Sequence, residues 1–244
     1  MLSFLRRKKS DYHHSLQVDI HSHLLPGIDD GVETIDQSIE IISRFVSLGY
    51  SRLVTTPHIM QGFYNNTPTI IKEKLKIVSN ALEAENINCK LYAAAEYYLD
   101  EYFVSLIDID DELLTFGDNY VLFETGFMSE PMNLKEVIFK LKSKGYNPIL
   151  AHPERYGYLN NNLSLVEDLV NRGVLMQVNV NSLSGHYSKE IKKMAEKLID
   201  KKLVHFLGSD CHHINHINLL EDTRTRRYYF KALELDLLNN SILL

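Results

Sequence analysis

An α/β fold is predicted, a distorted TIM-like (β/α) barrel of about seven parallel strands, and three observations carry it. Short apolar runs alternate with amphipathic helical patterns along the chain, which implies a parallel sheet covered by helices. Gly49, Gly145 and Gly173 each close a helical pattern just before a strand. The length, 244 residues at 45% hydrophobic and 24% charged, suits one large barrel domain. An open doubly wound sheet is the alternative, but no Gly-rich phosphate turn follows the first strand.

The elements follow in order. Residues 1–15 form a basic arm containing Arg6-Arg7-Lys8-Lys9, read as a flexible tail because the apolar core and cleavage site of a signal peptide are missing. Residues 16–244 are read as a single domain. Its first strand is 16–21. Thr34-x-x-Gln37 is a capping box, and Ile35, Ile39, Ile42 and Val46 make the stripe of the first helix. Residues 52–58 are the second strand. Thr67-Pro68 starts a helix with Ile71, Leu75, Val78 and Leu82 on one face. Residues 88–97 are the third strand, and 100–114 hold one or two helical turns. The fourth strand is 120–125. Asn133-x-x-Glu136 starts a helix ending at Gly145, and 147–153 are the fifth strand. Ser164-x-x-Glu167 opens the next helix, followed by a sixth strand at 174–182. A helix over 188–200 turns Ile191, Met194, Ala195 and Leu198 inward. The seventh strand is 203–212, and a final helix spans 219–238.

Composition bounds the function. A formal net charge of −6 argues against a nucleic-acid partner. Cys89 and Cys211 give neither a disulfide framework nor zinc-finger spacing. No apolar run reaches the roughly 20 residues of a membrane span, so a cytoplasmic protein is expected.

The strand ends carry the chemistry. His21 and His23 are two apart in an extended segment and reach one point. Asp29 and Asp30 follow in a Pro/Gly turn able to fold back over it. The second strand ends on His58, the third on Glu96, the fourth on Glu124, the fifth on His152, and the seventh on Asp210 and His212. The sixth ends instead on Asn179 and Asn181. In a barrel all strand C-termini meet at one face. Converging carboxylates without a cation would repel one another, so the set implies a multinuclear metal site. Imidazole and carboxylate without thiolate suit manganese or iron, with zinc compatible. His13, His14, His186, His205, His213 and His216 lie off this pattern; His205 is read as a core or helix-facing residue, and His213 and His216 as surface loop, with a place at the edge of the site as the alternative. Gln61-Gly62-Phe63-Tyr64 follows the second strand at the same face, so Phe63 and Tyr64 are candidates to sandwich a substrate ring.

The segments DIHSHLLPGIDDG, TTPH, AAAEYY, LFET, AHPERY and GSDCHH resemble the polymerase-and-histidinol-phosphatase (PHP) superfamily. Within it they are most similar to the manganese-dependent bacterial protein-tyrosine phosphatases of capsule and exopolysaccharide loci. The resemblance implies a PHP fold holding three divalent metal ions, Mn²⁺ first, and hydrolysis of phosphotyrosine on a protein. The substrate implied is a bacterial tyrosine kinase that controls polysaccharide export. Carried over, the first metal takes His21, His23, Glu96 and Asp210. Glu96 bridges to the second, which also takes Glu124 and His152. Asp30, His58 and His212 take the third, with Asp29 as the competing aspartate. Asp19 supports from behind, and Arg155 is the catalytic clamp on the phosphate. Four carboxylates against three divalent ions leave a positive site suited to a phosphomonoester dianion, attacked in line by metal-held hydroxide.

Other functions compete. Histidinol-phosphate phosphatase belongs to the same superfamily, and a nuclease branch is weakened by the acidic balance. A non-catalytic metal-binding regulator would be expected to have lost ligands. Cys211 is not the nucleophile of a cysteine phosphatase, because that loop needs arginine six residues on and position 217 is Ile. Arg224, Arg226 and Arg227 match no motif and read as a solvated helix start, with a second phosphate-binding arginine as the alternative.

Overall fold

The computed structural model describes residues 15–109, 111–160, 162–242 and 244. The predicted basic arm therefore falls outside the described residues except for Ser15, as do His13 and His14. Among the described residues, β1 (Val18–Asp19), β2 (Arg52–Thr55) and β4 (Lys90–Ala93) make one parallel sheet, ordered β1-β2-β4. The segments β3 (His58–Ile59), β5 (Glu96–Tyr98), β6 (Tyr120–Glu124), β7 (Asn147–Ala151), β8 (Leu175–Asn179) and β9 (Phe206–Gly208) make a second, in that order. Every pairing is parallel.

The second and third predicted strands each break in two. Pro57, which has no N–H to donate, interrupts the ladder between β2 and β3. Ala94 and Ala95 mark the matching break between β4 and β5. Hydrogen bonds nevertheless bridge the gap, from Ala94 N to Thr55 O and from Glu96 N to Pro57 O. On the other side, Ser22 and Cys211 form a parallel bridge, with His23 N donating to Cys211 O at 2.9 Å. Seven strand positions thus close into a ring, the distorted barrel expected from the sequence.

Val18, Ile20, Val54, Ala94, Leu122, Ile149, Ala151 and Phe206 form one apolar cluster filling the barrel floor. The opposite strand faces, with Leu53, Phe123, Leu150, Met176 and Val178, pack under the helices. The floor is dry and apolar, so the polar strand ends collect above it.

The helices are α1 (Ile35–Ser47), α2 (Pro68–Ala84), α3 (Glu101–Asp108), α4 (Leu134–Ser143), α5 (Gly157–Asn160), α6 (Leu163–Asn171), α7 (Lys189–Asp200), α8 (Ile214–Thr223) and α9 (Arg227–Leu233). The Thr34–Gln37 capping box is formed. The buried face of α1 is Ser38, Ile41, Ile42 and Phe45, however, and Ile35 is exposed. Turning Phe45 inward sets its ring against Tyr50 at 5.2 Å, and the larger buried ring fixes the rotation. Asn133 makes no side-chain cap on α4. On α6 the cap is Asn162, accepting from Leu165 N, rather than Ser164. The single helix expected over 219–238 is two, α8 and α9, separated where Arg224 donates to Leu48 O and stacks over Tyr50. Among the described residues no helix is long and apolar enough to cross a membrane.

Candidate metal centre

All nine ligand-type residues singled out from the strand ends meet at the C-terminal mouth of the barrel. Glu96, buried at the start of β5, is the hub. Its Oε2 lies 3.2 Å from His21 Nε2, 3.5 Å from His23 Nε2 and 3.3 Å from His58 Nδ1, and its Oε1 lies 3.1 Å from His152 Nε2. Glu124, at the end of β6, stands 3.1 Å from His58 Nδ1 and 3.8 Å from His152 Nε2. Asp210 Oδ1 is within 3.6 Å of His21, His23 and His212. Ligand atoms gather into four groups, each within 4.8 Å: His23, Asp30, His58 and His212; His21, His23 and Glu96; His21, His152 and Asp210; His58, Glu96 and Glu124.

The residues fit divalent cations by a direct sign. His58 Nδ1 and His152 Nδ1 are buried yet lack a hydrogen-bond partner. The His58 nitrogen faces two carboxylate oxygens, an arrangement that a shared cation would satisfy.

The turn after His23 separates the two aspartates. Asp29 Oδ2 accepts from His23 Nδ1 at 2.8 Å, behind the imidazole. Asp30 is half exposed at the mouth, with Oδ1 3.4 Å from His58 Nε2 and 3.5 Å from His212 Nε2. Asp30 thus joins the cluster of His23, His58 and His212, and Asp29 stands behind His23. Gly31 permits this turn, since a Cβ there would sit 2.3 Å from His23 O. Asp19 touches no ligand side chain; its carboxylate accepts from Ser209 N and Oγ at 2.8 Å and pins the turn before Asp210. Burial lifts its pKa to about 7.

His152 departs from expectation. The residue before a proline is normally extended, yet His152 is left-handed at φ 34°. Ile149 and Ala151 already face the barrel interior, so strand alternation would turn His152 outward. The positive φ swings it in against Glu96. Asp210 is also left-handed, at φ 50°. Backbone strain of this kind concentrates at functional sites.

Arg155 ends the short turn Pro153–Arg155 after β7. Its Nη1 donates to Asp210 Oδ2 at 3.1 Å. Its guanidinium lies between two rings, 4.8 Å from Phe127 and 4.7 Å from Tyr187. It lines a cavity of about 410 Å³ together with Met60, Tyr64, Phe127 and Tyr187. Tyr64 stacks on His58 at 5.3 Å, whereas Phe63 is 74% exposed and outside the cavity wall. The aromatic residues of the cavity wall are Tyr64, Phe127 and Tyr187. His213 and His216, expected on a surface loop, line the cavity too. His205 behaves as a structural residue, its Nδ1 accepting from Met176 N. Arg224, Arg226 and Arg227 are engaged away from the cavity, with Leu48, Asp222 and Tyr228 respectively.

Cys211 is fully buried in the core, and burial pushes its thiol well above the ordinary range. Cys211→Ser should keep most activity, and alkylating reagents should inhibit little. A collapse of turnover in that variant at unchanged metal content would instead indicate thiol chemistry.

Burial alone would lower the imidazole pKa values, but the carboxylates override it. Glu96 and Asp210 raise His21 to about 10, Glu96, Asp30 and Glu124 raise His58 to about 12, and Asp210 and Asp30 raise His212 to about 9. These raised values stabilise the cation-free fold fully below about 6.5, and that contribution fades as pH climbs through 9–12. A coordinating imidazole must be unprotonated. Cation binding near neutral pH should therefore release protons, and affinity should rise with pH. Calorimetric titration with Mn²⁺ in two buffers of different ionisation enthalpy checks this; a buffer-independent heat would contradict it.

Comparisons with known proteins find relatives of this chain in sequence and in structure. Residues 17–220 match the family model described as capsular polysaccharide synthesis, CpsB/CapC. Tyrosine-protein phosphatase YwqE of Bacillus subtilis is 32% identical over 206 residues, covering 81% of this chain and 78% of that protein. A structure solved in work on YwqE from Bacillus subtilis and CpsB from Streptococcus pneumoniae, unique metal-dependent tyrosine phosphatases, superposes with a TM-score of 0.79 at 29% identity. It covers 93% of this chain and 96% of that one. Histidinol phosphate phosphatase from Lactococcus lactis, solved with zinc, L-histidinol and phosphate, has a TM-score of 0.51 at 12% identity, over 90% of this chain and 94% of that one, which is a likeness of fold.

Proposed function

The chain belongs to the CpsB/CapC family of capsular polysaccharide synthesis, and from that premise we propose that it is a metal-dependent tyrosine-protein phosphatase working with three divalent ions. His21, His23, Glu96 and Asp210 hold the first ion. Glu96, Glu124 and His152 hold the second, and Asp30, His58 and His212 the third. Manganese is the ion assigned; iron and zinc suit the same donors. The observation that carries this reading is the convergence of nine ligand-type side chains at one barrel mouth, seven of them lining one cavity together with Arg155.

Bound divalent ions would supply Lewis acidity and an acidified water nucleophile. The chain's own residues do the rest. Arg155 grips phosphate oxygens through the guanidinium edge not occupied by Asp210. Tyr64 on His58 and Phe127 beside His152 give the cavity wall aromatic surface against which the phenyl group of phosphotyrosine packs. The protein substrate is a cytoplasmic tyrosine kinase governing polysaccharide export, and the chain is cytoplasmic with it.

Histidinol-phosphate hydrolysis is the second reading, favoured by the shared fold alone. Leaving-group chemistry separates the two. Tyrosinate has a pKa of about 10 and leaves with little protonation, whereas an alkyl alkoxide needs a general acid. The test is turnover of a phosphotyrosine peptide and of histidinol phosphate by protein of defined metal content. Preference for the peptide is expected, and preference for histidinol phosphate would overturn the assignment.

A further inference from the structure

Strand β8 contributes no ligand-type residue to the nine, yet its two inward side chains touch the site. Gln177 and Asn179 are both buried and two apart, so they share a face. Gln177 Oε1 lies 2.7 Å from His21 Nδ1. Gln177 Nε2 donates to Asn179 Oδ1 at 2.9 Å. Asn179 Nδ2 donates to Asp210 Oδ2 at 2.7 Å. Two proposed ligands of the first ion, 189 positions apart in sequence numbering (His21 to Asp210, 210 − 21), are thus joined by a chain of two amides.

We propose that Gln177 and Asn179 form a relay of fixed polarity that selects the Nδ1–H tautomer of His21 and aims Asp210 Oδ1 at the ions, making both positioning residues for the metal centre. The argument starts at the charged end. An ionised carboxylate only accepts hydrogen bonds, so Asn179 must turn its NH₂ toward Asp210. Its carbonyl oxygen then faces Gln177, which must turn its own NH₂ to meet it. Gln177 is left presenting its oxygen to His21, and only a protonated Nδ1 satisfies an oxygen. Nε2 of His21 is therefore the nitrogen with a free lone pair, and it is the one 3.2 Å from Glu96 and 3.5 Å from Asp210 Oδ1. His152 N, a fixed donor, also points at Gln177 Oε1, at 3.4 Å, which gives the same amide orientation independently.

The surrounding packing holds the relay in place. Glu154 Oε1 accepts from Asn179 N at 2.9 Å and from Ser182 Oγ at 2.7 Å. Gly208 on β9 makes the room: a Cβ there would lie 2.6 Å from Gln177 Nε2 and 2.9 Å from His21 Cβ. Tyr187, which stacks on Arg155, takes a longer contact from Asn179 Nδ2 at 3.4 Å.

The inference rests on His21 and Asp210 being metal ligands, and the experiment separates the two claims. Mn²⁺ affinity is measured by chelator competition for the parent, Gln177→Leu, Asn179→Leu and Gln177→Glu, with the thermal midpoint of each taken without metal. Loss of a hydrogen-bonded support of a ligand typically weakens metal binding about 10–100-fold, and that loss is expected for both leucine variants. Gln177→Glu keeps an acceptor opposite His21 but loses the donor to Asn179 Oδ1, so its Mn²⁺ affinity should lie between those of Gln177→Leu and the parent. A second measurement needs no variant. In zinc-loaded protein, ¹⁵N-histidine spectra should find the His21 proton on Nδ1 and the metal on Nε2. Metal on Nδ1, or parent-like affinity in both leucine variants, overturns the relay. A parent that binds no Mn²⁺ removes the ligand assignment beneath it.

Discussion

Removing divalent metal with a strong chelator should abolish phosphotyrosine hydrolysis while far-ultraviolet circular dichroism stays close to that of the parent. Four carboxylates, Asp30, Glu96, Glu124 and Asp210, share this mouth with five imidazoles. Without cations His21, His58 and His212 are drawn toward protonated pairs with the carboxylates, in line with their raised pKa values. Glu96 and Asp210 are correspondingly held well below the usual carboxylate range, burial opposing the shift and His21 with the other imidazoles driving it. Such a site has no acidified water, so the chemistry stops. The fold should persist, because the barrel floor and the helix-facing shell are apolar and separate from the mouth. Re-addition of Mn²⁺ should restore turnover. Full activity in thoroughly demetallated protein, with metal content verified on the same sample, would sink the three-ion reading.

Arg155→Ala should lower kcat by about 10²–10³ while metal content and fold are kept, the usual cost of one preorganised donor at a developing oxyanion. Arg155 is fixed on both faces by Phe127 and Tyr187 and on one edge by Asp210. It lines the cavity, and the restraint means little order is lost when phosphate arrives. Charge on the equatorial phosphate oxygens strengthens the contact in the transition state. Arg155→Lys should recover only part of the loss, since an ammonium reproduces neither the two-pronged hydrogen bonding nor the stacking between rings. Metal content must be measured alongside, because the Asp210 contact could pass a structural change to a ligand. Turnover of a phosphotyrosine peptide by Arg155→Ala within about threefold of the parent, far short of the loss of such a donor, would exclude it as the phosphate clamp.

The sequence by itself determined the barrel, its seven strand positions and the ligand types at their ends. That information is local: alternation of two, helical spacing and capping are set by neighbours in the chain, and the C-terminal ends of parallel strands must share a face. Asp30 was legible as a candidate but not separable from Asp29, because two adjacent carboxylates in one turn differ only in which side of His23 they reach. The tertiary structure also decided what the sixth strand does. Gln177-x-Asn179 has the same spacing as His21-x-His23, which was the available signal, but amides do not announce a partner. Their roles depend on His21 and Asp210, brought to them across the barrel. The cavity-wall places of Phe127 and Tyr187, and those of His213 and His216, which read first as surface loop, were not legible for the same reason: the wall of a cavity built from separate loops is fixed by how those loops pack. The inward turn of His152 ran against the preference of a residue before proline. A local preference worth on the order of 1–3 kcal/mol yields when the surrounding barrel over-determines the backbone, and no pattern in the neighbouring residues records that it has.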